Sequence, residues 1–145
     1  MSNIYRTVGD VVSGQELIAF APGDSVRKAA EILTAREIGA APVVTENRVL
    51  GVFSERDILR EVVADGQNAD ALTVADIMTP NPKMISANAT LVMAFGIMVE
   101  REFRHLPVVD GNGRLIAMLS MRDIPPEHRI MYRQWKEWTV IALTG

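Results

Sequence analysis

The chain has 145 residues, a net charge of −3 at pH 7, nearly half its residues apolar and no cysteine. That is one domain's worth of chain with enough apolar side chains for a core, and the acidic balance gives no global reason to expect nucleic acid. Absence of cysteine excludes disulfides, thiolate catalysis and Cys-ligated metal centres. Nothing at the N-terminal end has the form of a secretion signal, and no stretch reaches the roughly 18 uninterrupted apolar residues of a membrane helix. A soluble, cytoplasmic protein without a membrane partner is expected.

Leu17 to Ala21 is a short apolar run stopped by Pro22-Gly23, which predicts a strand ending in a turn. Asp24 or Ser25 suits a helix N-cap, and Val26, Ala29, Ala30, Leu33 and Ile38 then follow helical spacing up to Gly39, where the helix should end. Pro42 to Val44 and Val49 to Phe53 are β-rich runs around a polar turn at Glu46-Asn47-Arg48. A second helix follows, with Ile58, Leu59, Val62 and Val63 as its apolar stripe. The polar, small segment from Ala64 to Ala71 reads as a linker.

The order then returns. Met84 to Ser86 predicts a strand, and Leu91, Ala94, Phe95, Met98 and Val99 line a long helix. Leu106 to Val109 and Leu115 to Leu119 are paired strands around Asp110-Gly111-Asn112-Gly113, a hairpin signal. Pro125-Pro126 cuts the final helix short. The tail from Glu127 to Thr144 has no counterpart in the first half. Met131, Trp135, Trp138 and Ala142 form one stripe on it, suited to packing on the chain's own core or to a subunit contact.

The halves are copies of one unit. Thr7-Val8-Gly9-Asp10 returns as Thr73-Val74-Ala75-Asp76, Pro42-Val43-Val44 as Pro107-Val108-Val109, and Ser54-x-x-Asp57-Ile58 as Ser120-x-x-Asp123-Ile124. Duplicated units bury their apolar faces against each other, which leaves two related clefts at the seam. Each Ser-x-x-Asp opens a helix after a strand. There a hydroxyl and a carboxylate stand where unpaired N–H groups can receive phosphate oxygens, and the carboxylate can accept from two vicinal hydroxyls. Simple N-capping accounts for the same residues without a ligand.

Written twice, the pattern of apolar run, Pro-Val-Val, hairpin and Gly-x-x-Ser-x-x-Asp-Ile resembles the cystathionine-β-synthase (CBS) domain, whose tandem pair is called a Bateman module. The resemblance covers about residues 7 to 125. It implies an α/β fold of tandem β-α-β-β-α repeats packed with pseudo-twofold symmetry, to which the tail's own periodicity adds a C-terminal helix. The expected divisions are 7–66, 73–125 and a helical tail at 127–144.

The resemblance further implies an adenosine-containing ligand and no catalysis. Ribose contacts fall by resemblance on Asp57 and Ser54 and on Asp123 and Ser120. Adenine would lie against Ile18, Ile85, Ala41, Leu106 and Met78, and phosphate would meet Arg104 and His105, with Arg56 and Arg122 able to serve either cleft. The first copy lacks the Arg104-His105 pair, so unequal sites are expected, the tighter one using that pair. Gly51 opens the first motif but Ala117 the second, where a methyl would crowd a close-packed ligand.

AMP is the first-choice ligand, with ATP, ADP, NAD(H) and S-adenosylmethionine as others. A homodimer and a regulated protein partner are also implied. The rival readings are a structural interaction module with empty clefts, an enzyme with an unrecognised site, and RNA binding through Arg129, Arg133 and Lys136. His105 and His128 offer no metal-ligand spacing, and no phosphate-loop or dinucleotide fingerprint occurs.

Overall fold

The computed structural model describes residues 5–144, with side chains through Glu137. Thr7, Ser25, Ser54, Thr73, Thr90 and Ser120 each stand in extended backbone immediately before a helical segment. In chain order the elements are α1 (Val8–Val12), α2 (Val26–Arg36), β1 (Ala40–Thr45), β2 (Arg48–Ser54) and α3 (Glu55–Ile58). Helix α3 runs on into a π-helical turn, Leu59–Ala64. Then come α4 (Val74–Ile77), β3 (Thr79–Pro80), β4 (Ile85–Ser86), α5 (Leu91–Arg101), β5 (His105–Val109), β6 (Leu115–Ser120), a 3₁₀ turn at Met121–Asp123, and α6 (Pro126–Thr144).

Two three-stranded sheets result, β1-β2-β3 and β4-β5-β6. Strands β1 and β2 are antiparallel from Ala40↔Ser54 to Thr45↔Arg48, joined by Glu46 and Asn47, both at positive φ, as a two-residue hairpin turn requires. In the second sheet β4 runs parallel to β5, with Ile85 opposite Val108. The strand expected at Leu17 to Ala21 shrinks to one residue. Phe20 bridges Val43 where Ile85 bridges Val108, because only its N–H and C=O reach β1. The first long helix ends earlier than expected, at Glu37 in left-handed backbone rather than at Gly39, and the second ends alike at Glu102.

The opening helix of each repeat packs on the core of the other. Val8 and Val12 lie with Leu91, Phe95, Leu106 and Leu119, whereas Val74 and Ile77 lie with Phe20, Val26, Leu33 and Phe53. Backbone hydrogen bonds tie the exchange symmetrically. Val8 N–H reaches Ala89 C=O and Arg6 C=O accepts from Leu91, while Val74 N–H reaches Asp24 C=O and Leu72 C=O accepts from Val26. The two repeats therefore share their cores and cannot be separated without opening both. Gln15 completes the seam by pairing its amide with the N–H and C=O of Met118, at 2.9 Å each, on the edge of β6.

Helix α6 starts at Pro126, whose missing N–H costs nothing at a first helical position. It docks through Tyr132, 6% exposed, which stands edge-on to Phe95 at 5.6 Å, and through buried His128. Gly96 makes room, since a Cβ there would lie 2.8 Å from the Tyr132 ring. The docked stripe is thus His128 and Tyr132, one position round from the expected Met131 and Trp135. Trp135 is 57% exposed, because an edge-on phenol fits over Gly96 and turns the indole outward. Trp138 and Ala142 carry side chains outside the described residues. Of the basic face proposed for RNA, Arg129 already donates to the carbonyls of Ile124 and Met121, and Lys136 pairs with Glu100 at 2.9 Å.

Exposure also divides the helix that follows β2. Ile58 and Val62 pack against the first core, while Leu59 and Val63 are 62% and 67% exposed. A π-helical turn has a wider period than the 3.6 residues on which the expected stripe relied.

Candidate functional site

The seam between the repeats opens into a cleft of about 1100 Å³. Its walls hold Ser54, Arg56 and Asp57 from the first repeat and Arg104, His105, Ser120 and Arg122 from the second. Residues far apart in sequence meet because β1 and β5 both begin at the seam. A Cβ on Gly39 would lie 3.2 Å from Glu55 Oε1 and 3.8 Å from His105 Cε1. The phosphate-binding pair expected to serve one copy therefore faces the hydroxyl and carboxylate of the other.

Asp57 is the most constrained polar group of the cleft, 2% exposed at the start of α3. Its Oδ2 accepts from Ser54 N–H and from the Ser54 hydroxyl, both at 2.9 Å, and Ser54 Oγ in turn accepts from Asp57 N–H at 3.3 Å. This capping box satisfies the free N–H groups of a short helix. Its Oδ1 accepts from Arg60 Nη2 at 3.0 Å and from the Thr79 hydroxyl at 3.4 Å.

The second copy repeats only part of this. Asp123 Oδ2 accepts from Ser120 N–H at 2.8 Å, but Asp123 does not line the cleft. Capping boxes also form at Thr7 with Asp10 and at Thr73 with Asp76. Burial and the Arg60 and Thr79 contacts, rather than the box, set Asp57 apart.

Strand alternation separates the remaining expected contacts from the cleft. His105 faces it while Leu106 turns into the second core at 0% exposed, and Ala40 faces it while Ala41 turns into the first core at 1%. Ile85 lies in the second core, and Ile18 and Met78 pack on the first. Gly51 serves the fold rather than a ligand. A Cβ there would meet Met78 Sδ at 2.6 Å and the Thr79 carbonyl at 2.7 Å, where β3 crosses β2. Among the described residues no strand lies against β6 in that way, and Ala117 fills core instead, 2% exposed.

Charge in the cleft is mostly positive. Six cations (Arg56, Arg60, Lys83, Arg101, Arg104 and Arg122) stand against four carboxylates (Glu37, Glu55, Asp57 and Glu102), which suits an anion. Desolvation holds the His105 imidazole below its usual range, and Arg104 and Arg122 push the same way against the weaker pull of Asp123 and Glu55. The turn at Met121 has three residues, too few for a dipole of consequence, so on the second repeat's wall side chains would carry any phosphate.

Arg60, Thr79 and Lys83 escaped the sequence reading. Only Arg60 left a trace there, three residues beyond Asp57 on an expected helix face. Glu37 and Glu102 on the cleft rim hold left-handed backbone at φ 54° and 59°, strain of the kind that collects at binding sites. Among the described residues no cluster of histidine and carboxylate side chains could hold a metal ion, and no helix is long and apolar enough to cross a membrane.

A swapped α/β pair with a polar cleft at its seam is the architecture of a tandem-repeat module. The CBS-domain family model matches residues 8–64 and 74–124, and the chain belongs to that family. Among solved structures, the CBS-domain containing protein ATU1752 from Agrobacterium tumefaciens is 34% identical. The match covers 81% of this chain and 95% of that one, with a TM-score of 0.74. The CBS-pair protein CBSX2 from Arabidopsis thaliana, in complex with AMP, is 31% identical over 82% of this chain and 93% of that one, with a TM-score of 0.69. An uncharacterized protein of Methanopyrus kandleri is 31% identical over 81% of this chain. The chain spans 60% of that protein's length and about a fifth of the CBS domain-containing protein CBSCBSPB3 of Arabidopsis thaliana.

Proposed function

We propose that this chain is a regulatory module that binds an adenine nucleotide in the seam cleft and passes its occupancy to a protein partner. AMP is the first choice, with ATP, ADP and NAD(H) as further candidates. The observation that carries the reading is the convergence on one cleft of Asp57 and Ser54 with Arg104, His105 and Arg122. A carboxylate suited to a ribose diol thus stands across from cations suited to phosphate. The AMP complex of the similar CBSX2 supports the choice of ligand.

Regulation follows from architecture. A ligand that touches both repeats can favour one arrangement of the shared cores over another, provided it binds them with different affinity. The chain works as a cytoplasmic homodimer without catalysis of its own. The capping boxes at Thr7 and Thr73, which form outside the cleft, keep a second reading in view: an interaction module whose clefts stay empty.

Thermal unfolding with AMP, ATP, NADH and S-adenosylmethionine separates the two, beside a variant carrying Asp57→Ala and Asp123→Ala. A ligand at a hundred times its dissociation constant adds about 2.7 kcal/mol, on the order of 5–10 °C for a chain of this size. A shift present in the parent and lost in the variant supports the nucleotide reading. No shift from any of the four leaves the interaction module.

A further inference from the structure

We propose that Arg60 is a built-in competitor for the ribose position on Asp57 and thereby makes the cleft selective for phosphorylated over neutral adenosine ligands. The assignment rests on the nucleotide reading above and deepens it. A carboxylate offers about four acceptor directions, and all four on Asp57 are taken: Ser54 N–H and Oγ on Oδ2, Arg60 and Thr79 on Oδ1. A ribose diol can reach Asp57 only by displacing a donor. Ser54 is fixed by its cap and Thr79 by β3. Arg60 is the one that can leave, since its side chain is 56% exposed and hangs from the π-helical turn.

Displacement has an electrostatic consequence. Two neutral hydroxyls replace a guanidinium on a carboxylate that is 2% exposed, and a buried charge without its partner is costly. An adenosine ligand alone leaves that loss uncompensated. A ligand whose ribose carries phosphate offers the released guanidinium a new anion on the same cleft wall, matched by the forked geometry of arginine. A neutral nucleoside offers Arg60 no anion beyond Glu61, which its Nε already meets at 3.4 Å.

Isothermal titration of the full chain with AMP and with adenosine tests this in the parent, in Arg60→Gln and in Arg60→Lys. The parent should favour AMP by about 10- to 100-fold, the range of one charge-assisted contact. Arg60→Gln should bind adenosine on the order of tenfold more tightly than the parent and AMP more weakly, so that the preference collapses. A residue that only binds phosphate would leave adenosine unchanged, and one that only holds the fold would weaken both ligands. Either of those results overturns the assignment. Should Arg60→Gln fail to fold by circular dichroism, Arg60→Lys carries the test. Tighter adenosine binding than in the parent supports the competitor, and unchanged or weaker binding overturns it. A parent that binds neither AMP nor adenosine, nor ATP or NADH titrated beside them, refutes the nucleotide reading itself, a failure distinct from a preference that ignores Arg60.

Discussion

Gly51→Ala would make the first repeat match the second at its motif, where Ala117 stands, yet it should destabilise the protein. The added methyl would lie 2.6 Å from Met78 Sδ, 2.7 Å from Thr79 C=O and 3.0 Å from Met78 Cγ. The thioether can turn aside, but the carbonyl belongs to β3, whose register sets Gly51 opposite Pro80 and Val52 opposite Thr79. Overpacking of this kind costs about 1–3 kcal/mol, offset by about 0.5–1 kcal/mol from removing a strand glycine. At mid-range the net loss is about 1.2 kcal/mol, or roughly 3–5 °C in Tm. Because Thr79 lines the cleft and donates to Asp57, moving β3 should also change AMP affinity. Differential scanning calorimetry with and without AMP reads both effects. An unchanged or raised Tm together with unchanged AMP affinity would refute the reasoning, and would mean that the glycine is not there to let β3 approach.

Tyr132→Ala should cost about 3–5 kcal/mol by emptying the contact over Phe95 and Gly96, seen as a lowered urea midpoint. Gln15→Ala removes both hydrogen bonds to Met118 on the edge of β6 and should cost about 1–2 kcal/mol, with faster amide exchange along that strand. His105 titrates below its unfolded value, so the unfolded chain takes up the proton first as pH falls. Stability should therefore decline from about pH 6.5 down through the folded-state value and be unaffected by His105 above it. His105→Gln should flatten that part of a Tm-against-pH curve, and an unchanged slope would contradict the cause assigned.

Much of this was legible because the duplication marks equivalent residues. The paired strands, both long helices and the caps at Ser25, Ser54 and Ser120 followed from periodicity and from Ser before helical runs. The swap was not legible, since Val8 and Val74 belong to near-identical segments and nothing local says which core each joins. The tail offered two stripes one position apart. Hydropathy favoured the tryptophans, but the space over Gly96 selected Tyr132, a choice that only tertiary packing makes.

At the site, Ser54, Asp57, Arg104 and His105 came from the motif. Which strand residues faced the cleft depended on register, since a one-residue step sends Leu106 inward and His105 outward. Arg60 and Thr79 were hidden for a different reason. Their importance lies in reaching one carboxylate oxygen from a π-helical turn and a two-residue strand, and neither element has a sequence signature.

The most direct test of the central claim is to titrate AMP into ¹⁵N-labelled protein and map the amide shifts. The account predicts saturable changes clustered at Ser54, Asp57, Thr79, Arg104 and His105 across the seam. Shifts that never saturate, or that gather away from the seam, would contradict it.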